Sequence, residues 1–462
     1  MAMEARQAAV ELLDRWRQLV VPPRLPERGG RFWSSLSARD RAFAFDLVQG
    51  VTRWRGTLDH LLGLCLDRPL EQLQHPLRAI LWLGAFQLLL QDGVADYAAI
   101  DTSVVLARRF GHVHAGGLVN AVLRRLQRLR VGPEPLSTPR VDALPLDNQR
   151  QLRLGKKVFP DPENDFAAWA AAAASHPRPL VEAFLDWLSP EDIRTVLTAD
   201  NMRPAVMLRC DAPGWLPPAE SGLAAHAQAG YFVAVDGWNE TVATLVGQGL
   251  LSPQDPTAGL AGRELISLYR EHSFERREHW RILDLCAGLG TKTIQIARGL
   301  PTAHITAVDI ASAKLRQLEL RRQRLGLTTI QVRPAQEVNW DRWRRFFDAA
   351  LVDAPCSNTG VLARRVQARW RWPVLDRPAL QDLQLRLLGQ AAAALRPRGI
   401  LVYSTCSIDP AENQELLARF LGEPAGAEWR MVRAITVLPR NSGEAIQRCD
   451  GGFVAVLRQE AE

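Results

Sequence analysis

The sequence predicts an α/β protein: a doubly wound, mostly parallel sheet over residues 276–462, preceded by an all-helical domain and a small α/β subdomain. Three observations carry this. Residues 4–130 place apolar side chains at helical spacing. Residues 131–164 are crowded with Pro, Asp and Asn, which interrupt both helical and strand periodicity. Beyond 280, short apolar runs alternate with longer helical patterns, the rhythm of strands linked by crossover helices.

In the first segment, Leu77, Ile80, Leu81, Gly84 and Leu88 share one helical face, and 98–109 and 117–130 repeat the habit. The last of these interleaves Val122, Leu123, Leu126 and Leu129 with Arg124, Arg125, Arg128 and Arg130, so the basic face is either a solvated flank or an RNA contact. Residues 131–164, with Pro133, Pro135, Pro139, Pro145, Pro160 and Pro162, read as a linker. Residues 165–275 mix short helices with strand-like pieces at 205–209 and 230–235. The final segment has apolar runs at 282–286, 305–309, 349–353 and 400–404, with helical patterns at 293–299, 311–325 and 379–395 between them.

At 462 residues the chain has room for two to four domains of roughly 100–200 residues each. With 47% hydrophobic and 23% charged residues it is too apolar for wholesale disorder. No apolar run approaches the ~18 residues of a membrane span, and the first thirty residues lack a signal-peptide pattern, so a cytoplasmic protein that does not enter membranes is expected. Six scattered cysteines with no CxxC or CxxH pair argue against a disulfide framework and against a zinc site; no metal is expected. The formal charge is +7, and residues 1–130 hold most of the excess, with 18 Arg against 12 Asp or Glu. Arginine forks suit phosphate. Lysine, by contrast, occurs only at 156, 157, 292 and 314, a bias that base composition of the gene also produces.

In an open parallel sheet, ligands bind beyond the carboxyl ends of the strands. The first strand there runs into DLCAGLGTKT (284–293), where Gly288 and Gly290 permit a tight turn whose amides open a helix. A phosphate-binding P-loop needs Gly directly before the Lys, and Thr291 stands there instead. Asp309 closes the next strand about 20 residues on, the spacing at which an acid holds ribose hydroxyls, so the pair points to a nucleoside-containing cofactor. The fourth strand ends in DAPCSNTG (353–360) and the fifth in YSTCS (403–407). Two cysteines just past neighbouring strand ends, with Asp353 beside them, are groups able to activate a heterocyclic base.

These three segments resemble the motifs of the Sun/NOP family of S-adenosylmethionine-dependent RNA cytosine-5 methyltransferases, and a helical NusB-like front domain is similar to that of its Fmu branch, which acts on bacterial small-subunit ribosomal RNA. DGGF (450–453) is similar to the family's closing strand, and Asn201, Pro204 and Arg209 to an upstream segment. The resemblance implies a Rossmann-like catalytic domain with S-adenosylmethionine as cofactor and ribosomal RNA, free or in a partial particle, as partner. It implies that Cys406 adds to carbon 6 of a flipped-out cytosine, that Cys356 assists the later elimination and that Asp353 holds the cytosine edge. Cofactor contacts would come from Cys286, Ala287, Gly288, Leu289, Gly290, Thr291 and Lys292, with Asp309 on the ribose and Asp353 nearby. Arg124, Arg125, Arg364, Arg365 and Arg369 are the candidate RNA contacts, the last three interleaved with Trp370 and Trp372 in a segment that also reads as a solvated helix with core tryptophans. The chain departs from the family pattern at 287–291, which reads AGLGT in place of AAPGG, at Asn358 in place of Gly, and at the third strand, which lacks its acid. Two alternatives share the fold: a non-catalytic RNA-binding or ribosome-assembly protein, and a cytosine-5 methyltransferase acting on transfer RNA or DNA.

Overall fold

The structure, a computed structural model, describes residues 2–18, 21–22, 30–272, 279–440 and 443–460. They form two compact units, 1–203 with 362–375, and 204–361 with 376–462. No described helix is long and apolar enough to cross a membrane.

The first unit opens with α1 (Ala2–Asp14), α2 (Ala38–Gly63), α3 (Leu77–Leu89), α4 (Asp96–Arg109) and α5 (Gly116–Leu129). The hydroxyl of Ser37 accepts from the Asp40 amide and starts α2, a capping contact worth about 1 kcal/mol. Twelve of the thirteen residues of α3 are buried, which makes it the central helix, packed by α1, α2, α4 and α5. On α5, Val119, Val122, Leu123 and Leu126 face this core, as the apolar spacing predicts.

The Pro-rich stretch is not an open linker. It forms β1 (Arg130–Pro135), β2 (Ala143–Pro145) and β3 (Arg150–Leu154), an antiparallel sheet in the order β1-β3-β2. Pro133, Pro135 and Pro145 all lie on the two edge strands, and the central strand has none. A proline's missing N–H costs an edge strand nothing when that side has no neighbour, so composition that breaks sheet periodicity is compatible with this sheet. Helices α6 (Phe166–Ala173), α7 (Arg178–Trp187) and α8 (Pro190–Asn201) follow in the same compact unit, which ends at Arg203.

The second unit begins with β4 (Val206–Cys210), β5 (Leu223–Ala225), β6 (Tyr231–Ala234) and β7 (Leu251–Pro253), an antiparallel sheet ordered β5-β6-β4-β7, with α9 (Glu240–Gly247). After α10 (Leu260–His272) the expected boundary at 275 lies outside the described residues. A seven-stranded sheet follows: β8 (Arg281–Leu285), β9 (His304–Asp309), β10 (Ile330–Pro334), β11 (Phe347–Asp353), β12 (Leu395–Thr405), β13 (Trp429–Val437) and β14 (Gly452–Gln459), in the order β10-β9-β8-β11-β12-β14-β13. Strands β8 to β12 run parallel, while β14 is antiparallel to both β12 and β13. Side chains alternate between two buried faces. Leu283, Leu285, Val352, Leu401 and Tyr403 pack on one, and Ile282, Leu351, Ile400 and Val402 on the other. This two-sided burial is why the runs read as continuously apolar.

Candidate active site

Strand order reverses between β8 and β11, since β9 and β10 lie to one side and β12 to the other. The crevice at such a switch point receives ligands. The loop after β8, Asp309 at the end of β9, Asp353 at the end of β11 and Cys406 just past β12 all arrive there.

Cys356 and Cys406 stand with Sγ atoms 3.1 Å apart, both partly buried. All six cysteines are thiols. Cys406 Sγ lies 3.4 Å from Asn358 Oδ1, and Asn358, in the left-handed region at φ 67°, donates through Nδ2 to the Cys356 carbonyl at 2.8 Å. Asparagine tolerates that conformation better than most residues, which accounts for its use where the family has Gly. The hydrogen bond with Cys406, burial and the negative charge of Glu412 push the Cys356 thiol well above its ordinary range. Asp353 is held from two sides, by Lys292 Nζ at 2.6 Å and Ser404 Oγ at 2.8 Å. Burial alone would lower Lys292, yet the charge and hydrogen bond of Asp353 outweigh it and raise its pKa, so the ammonium persists at neutral pH. Lys292 thus turns towards Asp353, a use that its place in the glycine loop does not announce.

Close backbone approach keeps the two cysteine loops together. Gly360 N donates to the Cys406 carbonyl at 3.0 Å and Gly451 N to the Gly360 carbonyl at 2.7 Å. A Cβ on Gly360 would come within 2.6 Å of the Gly451 backbone. The DGGF segment therefore contributes packing space at the site.

The glycine loop after β8 adopts left-handed backbone at Cys286 (φ 71°), Gly288 (φ 59°) and Gly290 (φ 75°), and Gly290 caps α11 (Thr291–Gly299). Asp309 organises it: Oδ2 accepts from the Gly288 amide and Oδ1 from the Ala311 amide, each at 2.8 Å. The space a Cβ on Gly288 would fill is open, with only the Cys286 carbonyl at 4.0 Å, whereas one on Gly290 would strike Leu318 at 2.1 Å. Ala287 and Thr291 are half-buried, and Leu289 is exposed with its carbonyl held by Arg321 at 3.0 Å. Asp284 is buried beneath the loop, where Thr293 Oγ1 donates to one carboxylate oxygen at 2.5 Å and the other has no protein partner. Desolvation raises Asp284 to about 7. Burial and the acids Asp309, Asp353 and Asp284 likewise raise the Cys286 thiol. An open cradle at Gly288, a ring of acids and an orphaned oxygen fit a cofactor that carries positive charge and ribose hydroxyls.

The five arginines fare differently. Arg124 is exposed and donates to Gln127, and Arg125 donates to the Cys65 carbonyl and Asp67. Arg364 is half-buried and Arg365 exposed. Arg369, expected as an RNA contact, is fully buried in the first unit. It donates to the carbonyls of Arg53 and Ser175 (3.1 Å each) and Asp200 (2.8 Å), and to Asn201 Oδ1 (2.8 Å). Trp370 Nε1 donates to the Thr52 carbonyl, and Trp372 packs edge-on against Trp187. These side chains secure the 362–375 segment, so the core reading holds for them: a guanidinium with several carbonyl acceptors is more stable inside than an Arg-Trp pattern suggests. Two residues at the crevice were missed from sequence, Ser404 and Glu412. Ser404 lies within YSTCS; Glu412 carries no spacing signal, because only the fold brings it beside both cysteine loops.

With this geometry in hand, comparison with known proteins is informative. Residues 272–449 match the family model described as 16S rRNA methyltransferase RsmB/F, and residues 3–128 match the NusB family. A Mycobacterium tuberculosis protein named as a methyltransferase, without a stated substrate, is 33% identical over 88% of this chain and 84% of its own. A protein of Escherichia coli O6:K15:H31 named ribosomal RNA small subunit methyltransferase B is 30% identical over 92% of this chain and 90% of its own. Its Klebsiella pneumoniae namesake is 29% identical over 98% and 96%. The crystal structure of PH0851 superposes over 99% of both chains with a TM-score of 0.69 at 16% identity, a likeness of fold.

Proposed function

This chain belongs to the 16S rRNA methyltransferase RsmB/F family, with a NusB domain in front of a Rossmann-like methyltransferase domain, and from that premise we propose that it methylates carbon 5 of a cytidine in small-subunit ribosomal RNA through a covalent Cys406–cytosine adduct. The observation that carries the reading is the pair of thiols 3.1 Å apart at the ends of adjacent parallel strands, next to the Lys292–Asp353 pair. A non-catalytic RNA binder has no chemical use for that pair.

Bound S-adenosylmethionine would supply a methyl group carried on positively charged sulfur. Around it, the loop 286–291 would receive the methionine end and Asp309 the ribose. Cys406 would add to carbon 6 of the flipped base, which makes carbon 5 electron-rich. Asp353, fixed by Lys292 and Ser404, would hold the cytosine's polar edge and favour charge build-up in the ring. In the later elimination the carbon 5 proton would pass to water as the bond from carbon 6 to Cys406 breaks, and Cys356, its thiol raised and 3.1 Å away, would donate a hydrogen bond to the departing sulfur.

Exchange of the two thiols tests the assignment. In transfer assays with ribosomal RNA read by nucleoside mass spectrometry, Cys406→Ser is expected to abolish 5-methylcytidine, and Cys356→Ser to accumulate covalent enzyme–RNA. Loss of adduct in Cys356→Ser alone would make Cys356 the nucleophile, the pattern of DNA cytosine methyltransferases. Calorimetric titration with S-adenosylmethionine separates catalysis from RNA binding alone: affinity lost in Asp309→Ala supports the enzyme, and no binding by the folded parent with or without RNA favours the assembly-protein reading.

A further inference from the structure

Glu412 lies on the turn beyond β12, outside every motif used above, and is 1% exposed. Its carboxylate grips the residue after each thiol. One oxygen accepts from the Ser357 amide at 2.9 Å, directly after Cys356, and the other from Ser407 Oγ at 3.0 Å, directly after Cys406. Gln384 Nε2 donates to Glu412 at 3.0 Å and to the Pro355 carbonyl at 2.8 Å, so the residue before Cys356 is held as well. Ser407 Oγ also meets Ser357 Oγ (3.1 Å) and Thr359 Oγ1 (2.8 Å), and Tyr403 donates to the Glu412 carbonyl at 2.8 Å.

We infer that Glu412 is a positioning residue of the proposed reaction, one that sets the separation of the two thiols by holding the residue that follows each of them. This rests on the cytosine-5 reading above. The described partners of the carboxylate are neutral donors, a backbone amide, an amide side chain and a hydroxyl. These three donors occupy both carboxylate oxygens, and the charge of Glu412 adds to the hydrogen bond with Cys406 and to burial in raising the Cys356 thiol. Among the described residues, the other titratable groups around the thiols and Glu412 are Tyr403, Lys292, Asp353 and Cys286, and on the turn itself Asp409, which burial and the charge of Glu412 raise to about 6 and which Arg377 faces. Lys292 is paired with Asp353, which leaves Glu412 as the negative charge that acts on Cys356 from the turn. Its role differs from that of a plain fold brace because two of its three hydrogen bonds end on the residues bonded to Cys356 and Cys406.

Glu412→Gln keeps the volume and removes the charge, and it sets an amide where Gln384 or Ser357 now donates. Single-turnover methyl transfer to ribosomal RNA is expected to slow by roughly ten- to a hundredfold, as for small misplacements of reacting groups, while affinity for S-adenosylmethionine by calorimetry stays at the parental value. The limb of the pH–rate profile set by Cys356 should move to lower pH, because loss of a nearby negative charge eases thiol ionisation. A brace without a catalytic role would lower stability without moving that limb. Parental rate and an unmoved limb in the folded variant would overturn the inference. If Glu412→Gln does not fold, Gln384→Met removes two of the hydrogen bonds and keeps the charge. Slower transfer with an unmoved limb is then expected, and a parental rate would overturn the positioning claim. Absence of transfer in the parent protein would instead strike the cytosine-5 reading itself.

Discussion

Cys356 and Cys406 are 50 residues apart in the chain and in contact at the site because each follows the carboxyl end of one of two paired strands, β11 and β12. Around them, single residues show how burial sets behaviour. Asp284 titrates near 7 in the folded chain, above its ordinary value near 3.8, because it is desolvated. The native state therefore holds that proton more tightly than the unfolded chain. This contribution to stability is complete at acid pH and is lost as pH rises from about 4 to about 7. Asp284→Asn should accordingly melt a few degrees above the parent at pH 8, with the gap closing as pH falls towards 4, in calorimetric scans across that range. Arg369 is the opposite case, a cation made tolerable inside by four acceptors, though burial lowers its pKa to about 10. Arg369→Met strands those acceptors and should cost about 3–5 kcal/mol in denaturant titrations, while the salt dependence of RNA affinity in the folded fraction stays unchanged.

At the scale of elements, the loop between β8 and α11 combines three left-handed residues with anchors on Asp309 and Arg321. The sequence change from AAPGG to AGLGT leaves this geometry possible, since glycine remains where φ is positive and space is tight. Gly290 is the sensitive point: at φ 75°, a methyl there meets Leu318 at 2.1 Å. Gly290→Ala is expected to weaken S-adenosylmethionine binding at least tenfold by calorimetry, whereas Gly288→Ala, which points into open space at φ 59°, should weaken it chiefly by strain and by crowding the ligand. Equal affinity in both variants and the parent would show that the loop does not touch the cofactor. The three-stranded sheet at 130–154 makes a related point. Its prolines lie on edge strands, so local composition and strand formation are not in conflict.

For the whole molecule, the notable feature is that residues 362–375 leave the methyltransferase unit directly after the Cys356 loop and are secured in the helical unit by Arg369 and Trp370. Two of their acceptors, the carbonyls of Thr52 and Arg53, belong to α2. Removal of residues 1–130 deletes that helix. In a truncated chain, hydrogen exchange should show lost protection across 362–375 while amides of β8, β11 and β12 stay protected. The same deletion tests the basic face of α5: unchanged RNA affinity through a salt series would mean that Arg124 and Arg125 contribute nothing to binding.

The sequence by itself determined the fold class, the strand-end motifs and the two thiols, because strand–helix periodicity and short motifs at strand ends are local properties of the chain. It also determined that Asp309 belongs to the same crevice as the glycine loop. Tertiary structure alone decided the rest. Arg369 could be read as a surface cation until its four acceptors from α2, Ser175 and the end of α8 surrounded it. Lys292 was expected in the cofactor loop and turned out to clamp Asp353. Glu412 gained its place beside both cysteines only through the pairing of β11 with β12 and the packing of Gln384 beneath them. The physical reason is common to all three: the environment of a charged side chain is set by groups distant in the chain, and burial, more than residue type, decides what that charge does.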